Sequence, residues 1–293
     1  MFEGFTRGKA NVGDATINYV TAGKGPPLLL LHGAPQTLAM WSLTAPLLTD
    51  RFTVVCPDLR GYGDSSKPKG APDHSNYTFR VMAADQVGLM KHLGFERFHV
   101  AGHDRGGRVT HRMALDSPQA VRSLSMLDIV PTLDMYEGTN LSFATKFWLW
   151  FFLPLPEPIS ERMIGADPDF FFETLLGRYG GTGLEAFDAE ALAEYRRCWR
   201  DPAMIHGMCS DYRAGLSRDL ELDRADLGRK IAAPTLVLWA ADGLMGKQFD
   251  FPALWKARCS NVQFGTVPGG HFFPDQSPKE TAMALAAFFL ANP

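Results

Sequence analysis

No run of residues in this sequence is long and apolar enough to span a membrane. Its greasiest stretch, Phe147 to Leu155, falls far short of the roughly 18 residues a bilayer crossing demands. The segment Met1 to Ala10 lacks the apolar stretch of a signal peptide. Cysteine is scarce. The four residues Cys56, Cys198, Cys209 and Cys259 form no Cys-x-x-Cys pair and stand near no clustered histidines. A disulfide framework or thiolate metal site is therefore not indicated, and reduced thiols in a cytoplasmic protein are expected. Neither sign of charge dominates: 29 Lys and Arg stand against 32 Asp and Glu, with no basic cluster. That argues against a nucleic-acid partner. Internal repeats and low-complexity linkers are missing as well.

What is there is a core. Hydrophobic residues make up 46% of 293, enough for one large domain or for a core with an inserted subdomain. Thr16 to Thr21 alternates polar and apolar, as an antiparallel strand does. Pro27 to His32 and Arg51 to Pro57 are continuous apolar runs, as strands buried on both faces require. A helical period covers Phe79 to Leu93. Arg97 to Gly102 reads as a third buried strand, Arg108 to Asp116 as a helix, and Val121 to Asp128 as a fourth strand. Strands resume at Pro234 to Trp239 and Val262 to Val267, and a last helix spans Ser277 to Ala291. This alternation predicts an α/β fold with a doubly wound, mainly parallel sheet. Between about Pro131 and Asp226 the texture turns aromatic and helical. The expected division is a core of residues 1–130 and 227–293 with an inserted helical cap, residues 131–226. A cap over the carboxyl ends of the strands is where a ligand would sit.

One strand-to-helix junction carries the chemistry. Gly102-His103-Asp104-Arg105-Gly106 has the Gly-x-nucleophile-x-Gly spacing of the tight elbow in α/β hydrolases, with aspartate where serine is usual. A helix-capping aspartate would look the same in isolation, but the companions weigh against that. His32-Gly33-Ala34-Pro35, after the first buried strand, resembles an oxyanion loop, in which the backbone amides of Ala34 and Arg105 would face a developing oxyanion. Asp58 to Ser65 resembles a structural turn of the same superfamily. Gly269-Gly270-His271-Phe272 follows the last strand, so the chain order nucleophile, acid, histidine is kept. His271 is the expected base. For the acid, Asp128 at the end of a strand is favoured over Asp242, which follows the next strand.

A carboxylate nucleophile suits displacement at an sp3 carbon, because attack on an ester would yield an anhydride. Dehalogenation and epoxide opening remain. In both, Asp104 would form an ester that a water activated by His271 cleaves, with no metal or organic cofactor needed. Two arginines favour the first. Arg105 and Arg108 lie about one helical turn apart and could grip a carboxylate together.

With these residues in view, the chain resembles the fluoroacetate (haloacetate) dehalogenase family of α/β hydrolases, relatives of haloalkane dehalogenases and epoxide hydrolases. The likeness rests on HGAPQ at 32–36, GHDRGGR at 102–108, LDIVPT at 127–132, WFFL at 150–153, DPDF at 167–170, DYRAG at 211–215 and GGHFFP at 269–274. It runs through nearly the whole chain. It implies a small haloacid as substrate, Arg105 and Arg108 as carboxylate binders, Trp150 and Tyr212 as donors to the departing halide, no cofactor, and a homodimer as a family-level guess. There are two departures. Leu149 stands where the family has a histidine directly before the tryptophan, and Ala34 stands where phenylalanine is usual. The loss of one donor predicts weak defluorination, with chloro- or bromoacetate preferred. His206, in the predicted cap, could stand in as a donor. The rivals are an epoxide hydrolase, which typically uses two cap tyrosines where this chain has Tyr212 and Leu149, with Tyr179 and Tyr195 given no place by the sequence, a hydrolase of another small carboxylate-bearing substrate, and a non-enzymatic ligand receptor.

Overall fold

A computed structural model describes all residues, 1–293. Eight strands form one sheet: β1 (Thr6–Val12), β2 (Ala15–Gly23), β3 (Pro27–Leu31), β4 (Thr53–Pro57), β5 (Phe98–His103), β6 (Val121–Leu127), β7 (Thr235–Ala240) and β8 (Val262–Val267). Their order across the sheet is β1-β2-β4-β3-β5-β6-β7-β8. From β4 to β8 every pairing is parallel, and β1 and β2 add an antiparallel edge. The apolar runs explain the centre. Leu28 to Leu31 and all of β5 are buried, as strands covered by helices on both faces must be. β1 has no counterpart among the strands expected from sequence. Its only buried residues are Ala10 and Val12, and its outer face carries Arg7 and Lys9. An edge strand that keeps charge toward water has too weak an apolar period to be read.

Helices α1 (Phe79–His92) and α2 (Arg105–Asp116) follow β4 and β5. Between β6 and β7 the chain contains no strand. It folds into α3 (Thr132–Glu137), α4 (Leu141–Lys146), α5 (Leu149–Phe152), α6 (Ile159–Ala166), α7 (Pro168–Gly180), α8 (Ala189–Trp199), α9 (Pro202–Leu216) and α10 (Arg218–Ala225). Several of these start on sequence signals. Asp167 and Asp201 cap α7 and α9 through their side chains, each followed by proline in the first turn. The remaining helices are α11 (Leu244–Gln248), α12 (Phe251–Arg258), α13 (Phe273–Gln276) and α14 (Pro278–Ala291). No helix is long and apolar enough to cross a membrane. All four cysteines are free and buried.

The strand order positions the site. β5 lies between β3 and β6, so the loops leaving the carboxyl ends of these three strands are neighbours. Those loops carry Ala34, Asp104 and Asp128.

Candidate active site

The elbow between β5 and α2 is tight because two glycines make it so. A Cβ on Gly102 would come within 2.2 Å of the Gly106 carbonyl oxygen, and one on Gly106 within 2.5 Å of the His32 carbonyl oxygen. Asp104 itself takes φ 47° and ψ −114°, a strained conformation for a residue with a side chain. Its carboxylate is thereby held at the top of the sheet. Oδ1 accepts a hydrogen bond from the Ala34 amide at 2.9 Å. Oδ2 faces His271 Nε2 at 3.8 Å. Burial favours the neutral acid, but His271, His103 and the two arginines outweigh it and hold the Asp104 carboxyl below its ordinary range.

His271 Nδ1 lies 2.6 Å from Asp128 Oδ2. The other oxygen of Asp128 accepts from the Ala240 amide at 3.0 Å, which orients the carboxylate. Burial lowers the affinity of His271 for a proton, yet the bond to Asp128, its charge and that of Asp104 raise it further, so the imidazole titrates above its usual value. Asp242 is exposed, and Lys247 Nζ donates to its carbonyl. It takes no part in this arrangement. Beneath His271 sits His103, whose Nε2 lies 2.7 Å from the His271 carbonyl oxygen. Burial, with His271 beside it, pushes His103 down to about 4, so it stays neutral and donates. Of the two expected oxyanion donors, the Ala34 amide already meets Asp104, whereas the Arg105 amide does not donate to it in this geometry.

The two arginines are not equivalent in their surroundings. Arg105 is wholly buried. Its Nε donates to Asp211 Oδ2 at 2.9 Å, and its Nη2 to Asp211 Oδ1 and to the Asp211 carbonyl oxygen, the latter at 3.1 Å. Tyr62 donates to the same carboxylate at 2.7 Å. Arg105 is therefore anchored to α9, and only its Nη1 is left for a further partner. Arg108 lines the cavity. Its Nη1 donates to the Val130 carbonyl oxygen at 3.1 Å and to Thr132 Oγ1 at 3.0 Å, and its Nη2 lies 3.3 Å from Met135 Sδ. Each guanidinium keeps one buried nitrogen with no acceptor: Nη1 of Arg105 and Nε of Arg108. Burial and then Arg105 push Arg108 down to about 10, so it stays charged at neutral pH. Asp211 escaped the sequence reading although it precedes Tyr212. The available signal was that a buried arginine requires a carboxylate partner.

Trp150 on α5 and Tyr212 on α9 meet edge to face, with ring centroids 5.1 Å apart. The Arg108 guanidinium sits 4.5 Å from the centre of the Trp150 ring and that of Arg105 4.1 Å from the centre of the Tyr212 ring. Asp104, Arg108, Trp150, Tyr212 and His271 all face one cavity of about 40 Å³, with Leu149 in its wall. A single water needs about 10–15 Å³ on this measure, so the space suits a molecule of a few heavy atoms. His206 lies elsewhere. Its Nε2 accepts from the Gly70 amide at 2.9 Å in a separate groove, so it does not replace the missing donor. Tyr179 reaches the cavity wall, but its hydroxyl donates to the Lys146 carbonyl oxygen at 3.0 Å. Tyr195 is bonded to Asp275, away from the cavity.

A parallel sheet with an aspartate elbow and an adjoining His–Asp pair defines a class of hydrolase. Accordingly, the family model of the α/β hydrolase fold matches residues 26–278. The chain belongs to the α/β-hydrolase family and, within it, to the fluoroacetate dehalogenase family. It is 57% identical to a fluoroacetate dehalogenase from Burkholderia sp, covering 98% of this chain and 95% of that one. It is 32% identical to a soluble epoxide hydrolase from Corynebacterium sp. (strain C12), covering 97% of each. A solved structure from Nostoc sp PCC 7120, assigned to the α/β hydrolases, superposes with a TM-score of 0.97 at 49% identity over 99% of both chains.

Proposed function

We propose that this enzyme hydrolyses the carbon–halogen bond of small 2-halocarboxylates, haloacetates first among them, with chloride or bromide leaving more readily than fluoride. The observation that carries this reading is the cavity itself. An ionised Asp104 shares a space of about 40 Å³ with Arg108, whose Nε lacks an acceptor, and with the Trp150–Tyr212 pair.

The positions support the following course. Oδ1 of Asp104 is held by the Ala34 amide, so Oδ2 is the attacking oxygen. It displaces the halide at C2: the carbon–halogen bond breaks, the halide leaves with the electron pair, and an ester forms. The substrate carboxylate meets the spare donors of Arg108 and Arg105, one from each. The indole N–H of Trp150 and the hydroxyl of Tyr212 stabilise the departing halide. Burial and the Asp104 charge raise the Tyr212 phenol well above its ordinary value, so it remains a donor. Neutral His271, held by Asp128, then takes a proton from a water whose oxygen attacks the Asp104 carbonyl carbon. The oxyanion develops on Oδ1, where the Ala34 amide, joined by that of Arg105, receives it. Collapse expels the hydroxy acid, which takes its proton from His271, and the regenerated Asp104 acid loses its own to solvent.

Leu149 decides the halide preference. It offers no donor at the halide end, and one preorganised donor is worth roughly 10²–10³ in rate. Fluoride, small and hard, depends on donors most. The helical insertion, residues 131–226, supplies Trp150, Leu149 and Tyr212, and so acts as a cap that closes over a core of residues 1–130 and 227–293. Epoxide opening is the second reading, favoured by the Corynebacterium relative. Tyr212 could protonate an opening epoxide, but the other tyrosine hydroxyls considered, Tyr179 and Tyr195, are already engaged.

The test is halide release from fluoro-, chloro- and bromoacetate, with Asp104→Ala as control. Release that disappears in the control supports the reading. No release from any of the three overturns it in favour of an epoxide or a bulkier acid.

A further inference from the structure

A buried polar cluster lies beside the site and takes no part in the steps above. Gln36 Nε2 donates to Asp275 Oδ2 at 2.7 Å and to the Tyr195 hydroxyl at 3.0 Å. Tyr195 donates to Asp275 Oδ1 at 2.9 Å. All three side chains are buried. Gln36 closes the tight turn that presents Ala34, its own amide donating to the Gly33 carbonyl oxygen at 3.0 Å. Asp275 lies in α13, one turn beyond His271. Tyr195 comes from α8.

These connections matter because the sheet does not supply them. The Ala34 loop leaves β3 and the His271 turn leaves β8, and β5, β6 and β7 intervene. No strand pairing fixes the distance between the Ala34 amide and the His271 imidazole. The Gln36–Asp275 bond does so directly, two residues from Ala34 and four from His271. Its chemistry is also poorly explained by stability. The carboxylate is held by neutral donors, burial pushes it up to about 7 against their effect, and Gln36 Oε1 is buried without a partner. A partly satisfied polar cluster of this kind stabilises a core less than apolar packing would.

We propose that Gln36, Asp275 and Tyr195 are positioning residues for the hydrolytic half-reaction, setting the Ala34 amide and the His271 imidazole at a common distance from the Asp104 ester carbonyl. The proposal rests on the ester mechanism above. Alkylation draws mainly on the substrate's carboxylate and halide contacts, uses the Ala34 amide only to turn Asp104 Oδ2 toward the cavity, and needs no base. Hydrolysis needs the oxyanion donor and the base in register, and displacement of such groups by about 1 Å can cost on the order of 10²-fold.

The experiment is rapid-quench turnover of bromoacetate by Asp275→Asn and by Tyr195→Phe, which keeps the ring packing. First-turnover bromide release reports alkylation, glycolate release reports hydrolysis, and intact mass reports ester. The expected result is bromide release within about twofold of wild type, glycolate release slowed roughly 10- to 100-fold, and ester building up on Asp104. A purely structural cluster would slow both steps by the same factor, or neither, and either result in a folded variant overturns the proposal. Should Asp275→Asn not fold, Tyr195→Phe decides alone. His271→Asn is run alongside. If it traps an ester and the cluster variants show no selective loss of hydrolysis, the positioning role fails alone. If it traps none, the ester mechanism fails and takes the proposal with it.

Discussion

Arg105 and Asp211 form an ion pair with no solvent exposure at either side chain, joining the first residue of the nucleophile helix to the middle of α9. Removing one partner from such a pair strands a buried charge. Asp211→Ala is expected to lower stability by about 3–5 kcal/mol in urea unfolding. The double variant Arg105→Leu/Asp211→Leu should recover most of that loss, since apolar residues pack without a desolvation cost. It should nevertheless bind haloacetate poorly, showing a raised KM, because a carboxylate donor is gone. A double variant with wild-type KM would remove Arg105 from substrate binding.

Leu149→His restores a donor to the halide end. Fluoride release is expected to rise by about tenfold or more, up to the 10²–10³ that a well-placed donor contributes, while bromide release changes little. Ion-selective electrodes read both. An equal gain for all halides, or none for fluoride, would place the halide away from Leu149.

The 2.6 Å contact between His271 and Asp128 sets the tautomer of His271, the proposed base. Asp128→Asn should leave first-turnover halide release near wild type but slow ester hydrolysis by roughly 10⁴, the loss seen when a triad acid is neutralised. Asp242→Asn should be near normal in both. Rapid-quench assays separate the steps. A severe defect in the Asp242 variant would reverse the assignment of the acid.

In the proposed mechanism, protonation divides the two half-reactions. Asp104 is held below its ordinary range, so alkylation should show no acid limb above about pH 5. His271 titrates above its usual value in the free enzyme and works only when neutral, so hydrolysis rises with pH. Alkylation also removes the Asp104 charge, one of the influences that raise His271. The hydrolysis limb should therefore lie below the His271 pKa that NMR titration finds in the free enzyme. A limb at or above that value would mean that Asp104 keeps its charge through turnover.

Much of the fold is legible in the sequence. The continuous apolar runs at Pro27–His32 and Arg51–Pro57 announce strands buried on both faces, and glycines flanking Asp104 announce an elbow. β1 was not readable, because an edge strand buries too little to leave an apolar period. The roles of the tyrosines were not readable either. Tyr179, Tyr195 and Tyr212 all lie in the insertion, and only their hydrogen bonds show that the first two are engaged.

The sequence by itself determined the hydrolase family and the residues on which the proposed chemistry rests. An aspartate at the elbow, a histidine after the last strand and the order between them are local facts of residue type and spacing, and a carboxylate nucleophile already points to attack on an sp3 carbon. The division of labour was decided by tertiary structure alone. Arg105 and Arg108 are near neighbours on one helix, yet one is held by Asp211 and the other lines the cavity. Asp128 rather than Asp242 reaches His271. Gln36 and Asp275, far apart in the chain, share a hydrogen bond beside the site. Helical or strand periodicity says which face a residue occupies. Which partner it meets depends on segments brought together from distant parts of the chain, and no local pattern encodes that.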